Sequence, residues 1–261
     1  MTVAQATKLV IGRIPYLNAA PFVHGLAAGD GWSWVDLPPR QCGIEAEAGR
    51  LAAAPFALAD FLRLQDRFER LGNLGIAVHG RCGSTMLFGR RPIRQLDDAV
   101  IAVTDESSTT AMLLRLILEE RYKITPTAYQ RGRATETSEA WLAIGDEALK
   151  AIQGNQQWPY ETDLAFEWWL WQHLPAVFAV WAVRKDLPSS EKQQLSRLVQ
   201  HQLAANLGRL DAIAQAHAER LGLPAARLAE YLGRFVYRFG ENEEQAIQQF
   251  QLLLRQHGLL E

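Results

Sequence analysis

Val100-Ile101-Ala102-Val103, then Glu106-Ser107-Ser108-Thr109-Thr110, then Ala111-Met112-Leu113-Leu114-Arg115-Leu116-Ile117-Leu118 follow one another closely along the chain. The first run is short, apolar and β-branched between polar neighbours, so it reads as a buried strand. The last is made of good helix formers and is too long for an ordinary buried strand. The hydroxyl residues Ser107, Ser108, Thr109 and Thr110 therefore stand where a helix begins. The first turn of a helix has backbone N–H groups without intrahelical partners and the positive end of the macrodipole. With hydroxyls added, such a place suits a carboxylate or a phosphate. Ser and Thr are also ordinary N-caps that need no ligand. A cap uses one or two hydroxyls, and this run has more, so both readings stand at this point.

Outward from that unit, strands and helices alternate. Lys8 to Ile14 reads as a strand and Pro21 to Leu26 as a short helix with Pro21 in its first turn. Trp32 to Leu37 is a second strand stopped by Pro38-Pro39, and Arg40 to Arg50 has helical composition. Gly75 to Val78 and Thr85 to Phe88 are further strands. The alternation predicts an α/β architecture with mostly parallel sheets. Gly89-Arg90-Arg91-Pro92 and the apolar strand Val177 to Arg184 look like crossings between two lobes. The expected division is residues 1–90 with 182–261 as one lobe and 91–181 as the other. Ser189 to Leu221, Ala225 to Phe235 and Asn242 to His257 read as helices that cover the first lobe, broken at Gly222, Pro224 and Gly240. Two crossings and two lobes imply an interlobe cleft, with ligands held where strand ends and helix starts face it.

Bulk properties remove several classes. The chain has 261 residues, 48% hydrophobic and 21% charged, with a formal net charge of -2. Its basic residues are scattered, so neither nucleic acid nor a membrane surface is an expected partner. No apolar run is long enough to span a bilayer. Met1 to Lys8 lacks the basic start and apolar stretch of a signal peptide, so the expected location is cytoplasmic with reduced thiols. Cys42 and Cys82 have no metal-ligand spacing. His24, His79 and His173 are isolated and form no zinc pattern. With neither a Walker loop nor a Rossmann glycine fingerprint, no nucleotide cofactor is expected.

Four other places carry candidate chemistry. Asn18, in Arg13-Ile14-Pro15-Tyr16-Leu17-Asn18-Ala19-Ala20-Pro21, follows the first strand, either as a helix cap or as a donor and acceptor aimed into the cleft. Ser84, in Arg81-Cys82-Gly83-Ser84-Thr85, has no nearby His in sequence to make it a nucleophile, so it reads as a ligand hydrogen bond or a plain bulge. Gly145 ends a strand and lets backbone approach a ligand, while Asp146 stands at an N-cap position or fixes the cleft geometry. Asp163 to Trp171 is unusually aromatic, and Trp168 and Trp171 share a helical face. Core packing is the ordinary reading, and a wall for a flat ring the other.

Taken in order, these motifs resemble one family, the chorismate dehydratases of the futalosine route to menaquinone. The opening Tyr16-Leu17-Asn18 with Pro21, the stretch Leu71 to Val78, Ser84, and Leu87-Phe88 are similar to the family pattern. So are Ser107 to Thr110 with Leu113-Leu114, Ile144 to Leu149, Asp163-Leu164 with Glu167-Trp168, Leu174 to Trp181, and the tail from Tyr231 to Glu244. The resemblance covers nearly the whole chain. It implies a two-lobe, periplasmic-binding-protein-like fold of type 2. It also implies a hydro-lyase that converts chorismate to 3-[(1-carboxyvinyl)oxy]benzoate and water without a cofactor. It marks Asn18 and Ser84 as catalytic, with a substrate carboxylate as the base. Substrate binding would fall to Ser107, Ser108, Thr109, Thr110, Gly145 and Asp146. The chain departs from the family at Pro15, Ala19, His173 and Ala176, near the expected cleft and hinge. The alternatives are a non-catalytic binder of a small cyclic or aromatic carboxylate and the paralogous enzyme that cleaves a cyclic futalosine derivative.

Overall fold

Apolar, β-branched segments alternate with helix formers from Leu9 to Arg184, and helices dominate afterwards. The computed structural model describes residues 9–26, 32–152 and 156–260. Met1 to Lys8, read above as lacking a signal peptide and as the first residue of a strand, lie outside the described residues. In chain order the elements are Leu9–Arg13 (β1), a 3₁₀ turn Leu17–Ala19 leading into Ala20–Val23 (α1), Trp32–Asp36 (β2), Pro39–Glu47 (α2), Ala53–Ala57 (β3), Leu58–Leu64 (α3), Phe68–Val78 (β4), Thr85–Gly89 (β5), Val100–Val103 (β6) and Thr109–Arg115 (α4). A wider-wound turn, Leu116–Arg121, continues α4. There follow Ala128–Arg131 (β7), Ala140–Ile144 (β8), Gly145–Ala151 (α5), Tyr160–Asp163 (β9), Leu164–Gln172 (α6), Ala176–Arg184 (β10), Ser189–Leu207 (α7), Leu210–Leu221 (α8), Ala225–Gly233 (α9), Phe235–Arg238 (β11) and Glu241–Gln256 (α10).

The strands form two sheets, ordered β11-β4-β10-β3-β1-β2 and β7-β6-β8-β5-β9. The mostly parallel sheets expected from the alternation are not what forms. β1 runs parallel to β2 and β3, and β6 parallel to β7 and β8, but β10 is antiparallel to β3 and β4, β11 to β4, and β5 to β8 and β9. The reason is the route of the chain. β4 runs toward the junction, the chain crosses, and β5 starts from the junction and runs away from it. β10 returns the same way. A strand that arrives from the other lobe must run against those that lead out of its own sheet.

The crossings also move. β5 pairs with β8 and β9, so the first crossing is at residues 79–84 and not at Gly89 to Pro92. β10 pairs with β3 and β4, so the return precedes Ala176 instead of falling within Val177 to Arg184. The polar break after Gly89 is an ordinary loop within the second sheet's lobe. Ser189 to Leu221, read as one helix, is two, because the chain leaves the helical region at Arg209, after Asn206 and Gly208. Ala225 to Phe235 ends as a helix at Gly233, and Phe235 begins β11.

The C-terminal helices cover the first sheet as expected. Buried Asn206 on α7 donates through Nδ2 to the carbonyls of Pro21 (3.0 Å) and His24 (2.9 Å), so it fixes the segment after β1. Phe22 of that segment is fully buried and packs edge-on against Trp181, which is fully buried too. Among the described residues no helix is long and apolar enough to cross a membrane.

Candidate functional site between the lobes

The ends of β1, β3, β4 and β8 and the starts of β5 and β10 meet at one small cavity. Ile14, Ala57, Ile76, Thr85, Ile144, Phe178 and Ala179 supply its wall from those strands. Asn18, Ser84, Ser107, Thr109, Thr110 and Gly145 line the same space, with Tyr16 and Pro39. Residues from distant parts of the sequence thus converge where strand ends and a helix start face each other. The cavity is about 40 Å³. That is room for a water or two, so the lobes are closed.

Two expected residues are placed otherwise. Ser108 is buried beside the Asp60 carboxyl on α3 and does not line the cavity. Asp146 is not the N-cap of α5, because Gly145 already occupies the first helical position and Ile144 is the cap residue. Instead Asp146 Oδ1 accepts the Leu17 N–H at 3.0 Å, and Oδ2 lies 2.7 Å from Arg220 Nη1. It clasps the lobes together, the second of the readings raised for it above. Tyr16 makes a parallel clasp, donating its hydroxyl to the Glu106 carboxylate. Burial, followed by the Glu106 charge, pushes the Tyr16 phenol well above its ordinary range, so it stays protonated and donating. Its ring lies over Gly145, whose φ is +57° and where a Cβ would come within 2.7 Å of Tyr16 Cδ2. Glycine is needed there on both counts.

The hydroxyl run makes a cap and a contact between the lobes. Ser107 Oγ accepts the Thr110 N–H at 3.0 Å, which is a cap, and Thr109 Oγ1 accepts the Ala59 N–H from the facing lobe at 3.0 Å. A hydroxyl that accepts keeps its own proton to donate, so both remain donors toward the cavity. Asn18 is not a helix cap: neither the 3₁₀ turn nor α1 has a side-chain cap. Asn18 Oδ1 and Thr85 Oγ1, both on residues lining the cavity, are buried without a hydrogen-bond partner. Each such orphan costs about 1–3 kcal/mol, a cost that a polar ligand would relieve.

Ser84 is buried, accepts from the Tyr231 hydroxyl at 2.8 Å and lies 3.1 Å from Cys82 Sγ. Burial pushes the Cys82 thiol up to about 12. Both cysteines are free and buried. Asp163 caps α6, accepting from the N–H groups of Ala165 (3.0 Å) and Phe166 (3.3 Å), and its second oxygen accepts from Cys82 and Gly83 (2.8 Å each). It therefore ties the first crossing to the helix before the second. The tryptophans follow the core reading. Trp168 is buried, donates to the Pro175 carbonyl at 3.0 Å and packs edge-on against Trp171 and Phe250. The aromatic wall of the cavity is Tyr16 and Phe178. No group of His, Cys, Asp or Glu among the described residues is arranged to hold a metal ion. Tyr16, Thr85 and Phe178 were missed as lining residues. Tyr16 and Thr85 adjoin motif residues and were open to notice, whereas Phe178 gave no signal within its apolar strand.

Known proteins resemble this chain in sequence and in fold. A family model described as menaquinone biosynthesis matches residues 9–256. A chorismate dehydratase from Thermus thermophilus is 31% identical over 258 residues, covering 92% of this chain and 93% of its own. A crystal structure of an Archaeoglobus fulgidus protein superposes with a TM-score of 0.77 at 18% identity, covering 97% of this chain and 98% of that one. The periplasmic aliphatic sulphonate-binding protein of Escherichia coli gives 0.60 at 16% identity, covering 97% and 93%. At such identities the solved structures speak for the fold, which is periplasmic-binding-protein-like. With the family model spanning nearly the whole length, this chain belongs to the menaquinone biosynthesis family.

Proposed function

We propose that this chain is a chorismate dehydratase, a hydro-lyase that acts in the cytoplasm on the futalosine route and forms 3-[(1-carboxyvinyl)oxy]benzoate. The observation that carries the reading is the convergence of Asn18, Ser84, Ser107, Thr109 and Thr110 on one cavity where buried Asn18 Oδ1 and Thr85 Oγ1 lack partners. Its support in sequence is the relationship to the Thermus thermophilus enzyme.

The chemistry asks for orientation more than for a strong protein acid or base. Loss of water breaks the C–H bond at the ether-bearing ring carbon and the C–O bond at its neighbour, and the freed pair completes an aromatic ring. A substrate carboxylate takes the ring proton and passes it to the departing oxygen, so water leaves and no side chain changes its charge. The hydroxyls of Ser107, Thr109 and Thr110 hold the other carboxylate, and Asn18 and Ser84 orient the reacting groups. Parting of the lobes admits the substrate, because the closed cavity is smaller than a six-membered ring. Reclosure restores the Tyr16–Glu106 and Asp146–Leu17 clasps and excludes water.

Incubation of the purified protein with chorismate, followed by chromatography of the aromatic product, tests this. Product proportional to enzyme is expected. Its absence at high enzyme concentration, with chorismate raising only the melting temperature, would instead make the chain a binding protein.

A further inference from the structure

Tyr231 lies at the C-terminal side of α9, far along the chain from the cavity residues, and contributes nothing to the cavity wall. It is buried, and its ring is wedged edge-on against Phe235 at 4.9 Å between centroids. Its hydroxyl donates to Ser84 Oγ at 2.8 Å. A serine oxygen has one proton to give and two lone pairs to receive with. Tyr231 fills one lone pair. Burial drives the phenol well above its ordinary range, so this donor is never lost near neutral pH. Cys82 Sγ, at 3.1 Å, offers either a weak thiol donor to the second lone pair or a weak sulfur acceptor. When the thiol donates, the serine proton is left free on a residue that lines the cavity.

We infer that Tyr231 is a positioning residue: by donating to Ser84 Oγ it aims the serine proton into the cavity, at the hydroxyl that leaves the substrate. The inference rests on the dehydratase reading for its catalytic consequence, but the hydrogen bond itself does not. Donation from Tyr231 also polarises the serine O–H, which strengthens the bond Ser84 gives to the oxygen as negative charge grows on it. Tyr231 touches no substrate atom and acts only through Ser84.

Y231F deletes the oxygen and keeps the packed ring. Its kcat should fall about tenfold, the effect of one lost hydrogen bond of ordinary strength, while KM stays within about twofold, since ground-state binding is untouched. A merely structural tyrosine would move KM and the melting temperature instead. The double variant decides the route: in an S84A background, Y231F should change kcat no further, because its only path is gone. Additive losses in kcat would overturn the proposal. An independent spectroscopic check is the ultraviolet resonance Raman difference between S84A and wild type, where one tyrosine should stop reporting a donated hydrogen bond. No change in the tyrosine bands would overturn it too. If wild-type protein does not consume chorismate, the function is wrong, and the Raman difference still tells whether the Tyr231 to Ser84 bond exists.

Discussion

Two hollows flank α4, and they contrast in size and in how their polar groups are used. The outer one is a groove of about 830 Å³ lined by Arg63, Met112, Arg115, Tyr129, Arg131 and Leu259 among others. The inner one is the cavity of about 40 Å³ between the lobes. By volume and by its arginines the outer groove looks the better anion site. Its cations are already matched, however. Arg63 pairs with buried Asp60, Arg115 with Glu119 at 3.0 Å, and Arg131 Nη1 donates to the carbonyls of Thr104 (3.1 Å) and Ser107 (2.8 Å). The inner cavity, far smaller, is lined by residues with two buried polar atoms that lack a partner, Asn18 Oδ1 and Thr85 Oγ1, against one, the Tyr129 hydroxyl, in the outer groove. Unmet hydrogen-bonding capacity, more than volume, marks the place built for a ligand.

The largest expected effect would break or keep that contrast. N18A and S84A should each lower kcat/KM for chorismate by roughly a hundredfold or more, as removal of a preorganised polar group at a reacting oxygen does. The melting temperature of N18A should stay near wild type, because Asn18 Oδ1 has no protein partner to lose, whereas S84A leaves the buried Tyr231 hydroxyl without its acceptor and should melt lower by several degrees. R115A, in the outer groove, should stay within about twofold of wild type in steady-state kinetics, the removal of an exposed ion pair being worth little. Equal losses from R115A and S84A would move the site to the wrong side of α4.

The next effect concerns what closes the inner cavity. G145A forces a side chain into φ +57° and against the Tyr16 ring. The expected cost is roughly 1–3 kcal/mol of stability, seen as a melting temperature lower by several degrees, together with a large loss of activity as Tyr16 is displaced. A variant that melts and turns over like wild type would show that the Tyr16 contact does not matter.

Smaller still is the clasp at Asp146. D146A leaves the buried Leu17 N–H without an acceptor, at about 1–3 kcal/mol. D146N keeps an acceptor and loses only the charge opposite Arg220, whose side chain is 47% exposed, so about 1 kcal/mol or less is expected. Denaturant unfolding of the two variants measures the difference. If D146N is as damaging as D146A, the charge pair and not the Leu17 bond holds the lobes.

Much of this is legible in the sequence. The strand–hydroxyl–helix unit, the opening loop with Asn18 and the return strand β10 all announce themselves by apolar runs bounded by polar residues or prolines. What stayed hidden has definite causes. β3 is Ala-Ala-Pro-Phe-Ala, and Pro55 argues against a central strand. It is accommodated because β3 meets β1 at a single registered pair, Ile11 with Ala53, and takes most of its pairing from β10. β11 was swallowed by the helical pattern before it, since Phe235 to Arg238 is too short to show a period of its own. The crossings were misplaced because composition marks polar breaks, and only pairing tells which sheet a strand joins. Of the candidate residues, Ser108 and Asp146 do not line the cavity and face protein partners instead. A side chain's direction depends on tertiary neighbours, here Asp60, Leu17 and Arg220, that lie far away in sequence.

The smallest effect expected is that of pH, and it separates the proposed chemistry from one that uses a protein base. Among the cavity-lining residues Tyr16 is the one that titrates, and burial with Glu106 raises it. Behind Ser84, burial raises Tyr231 likewise and takes Cys82 to about 12. All three are neutral well past pH 9 and stay so, and the remaining polar lining groups are amides and hydroxyls. kcat/KM should therefore be flat from about pH 6 to 9, within the range where a histidine base would show itself near its ordinary value. Stability should begin to fall above about pH 8.5, where the Cys42 and Cys82 thiols of the unfolded chain ionise, and further above about pH 10, where its phenols do, while the buried groups stay neutral. A raised folded pKa of an acid means that the unfolded state sheds protons first, so rising pH favours unfolding. A bell centred near neutrality in the pH–rate profile would put a titrating side chain into the reaction. The contrast between the hollows would then have to be redrawn around that group instead of around Asn18 and Ser84.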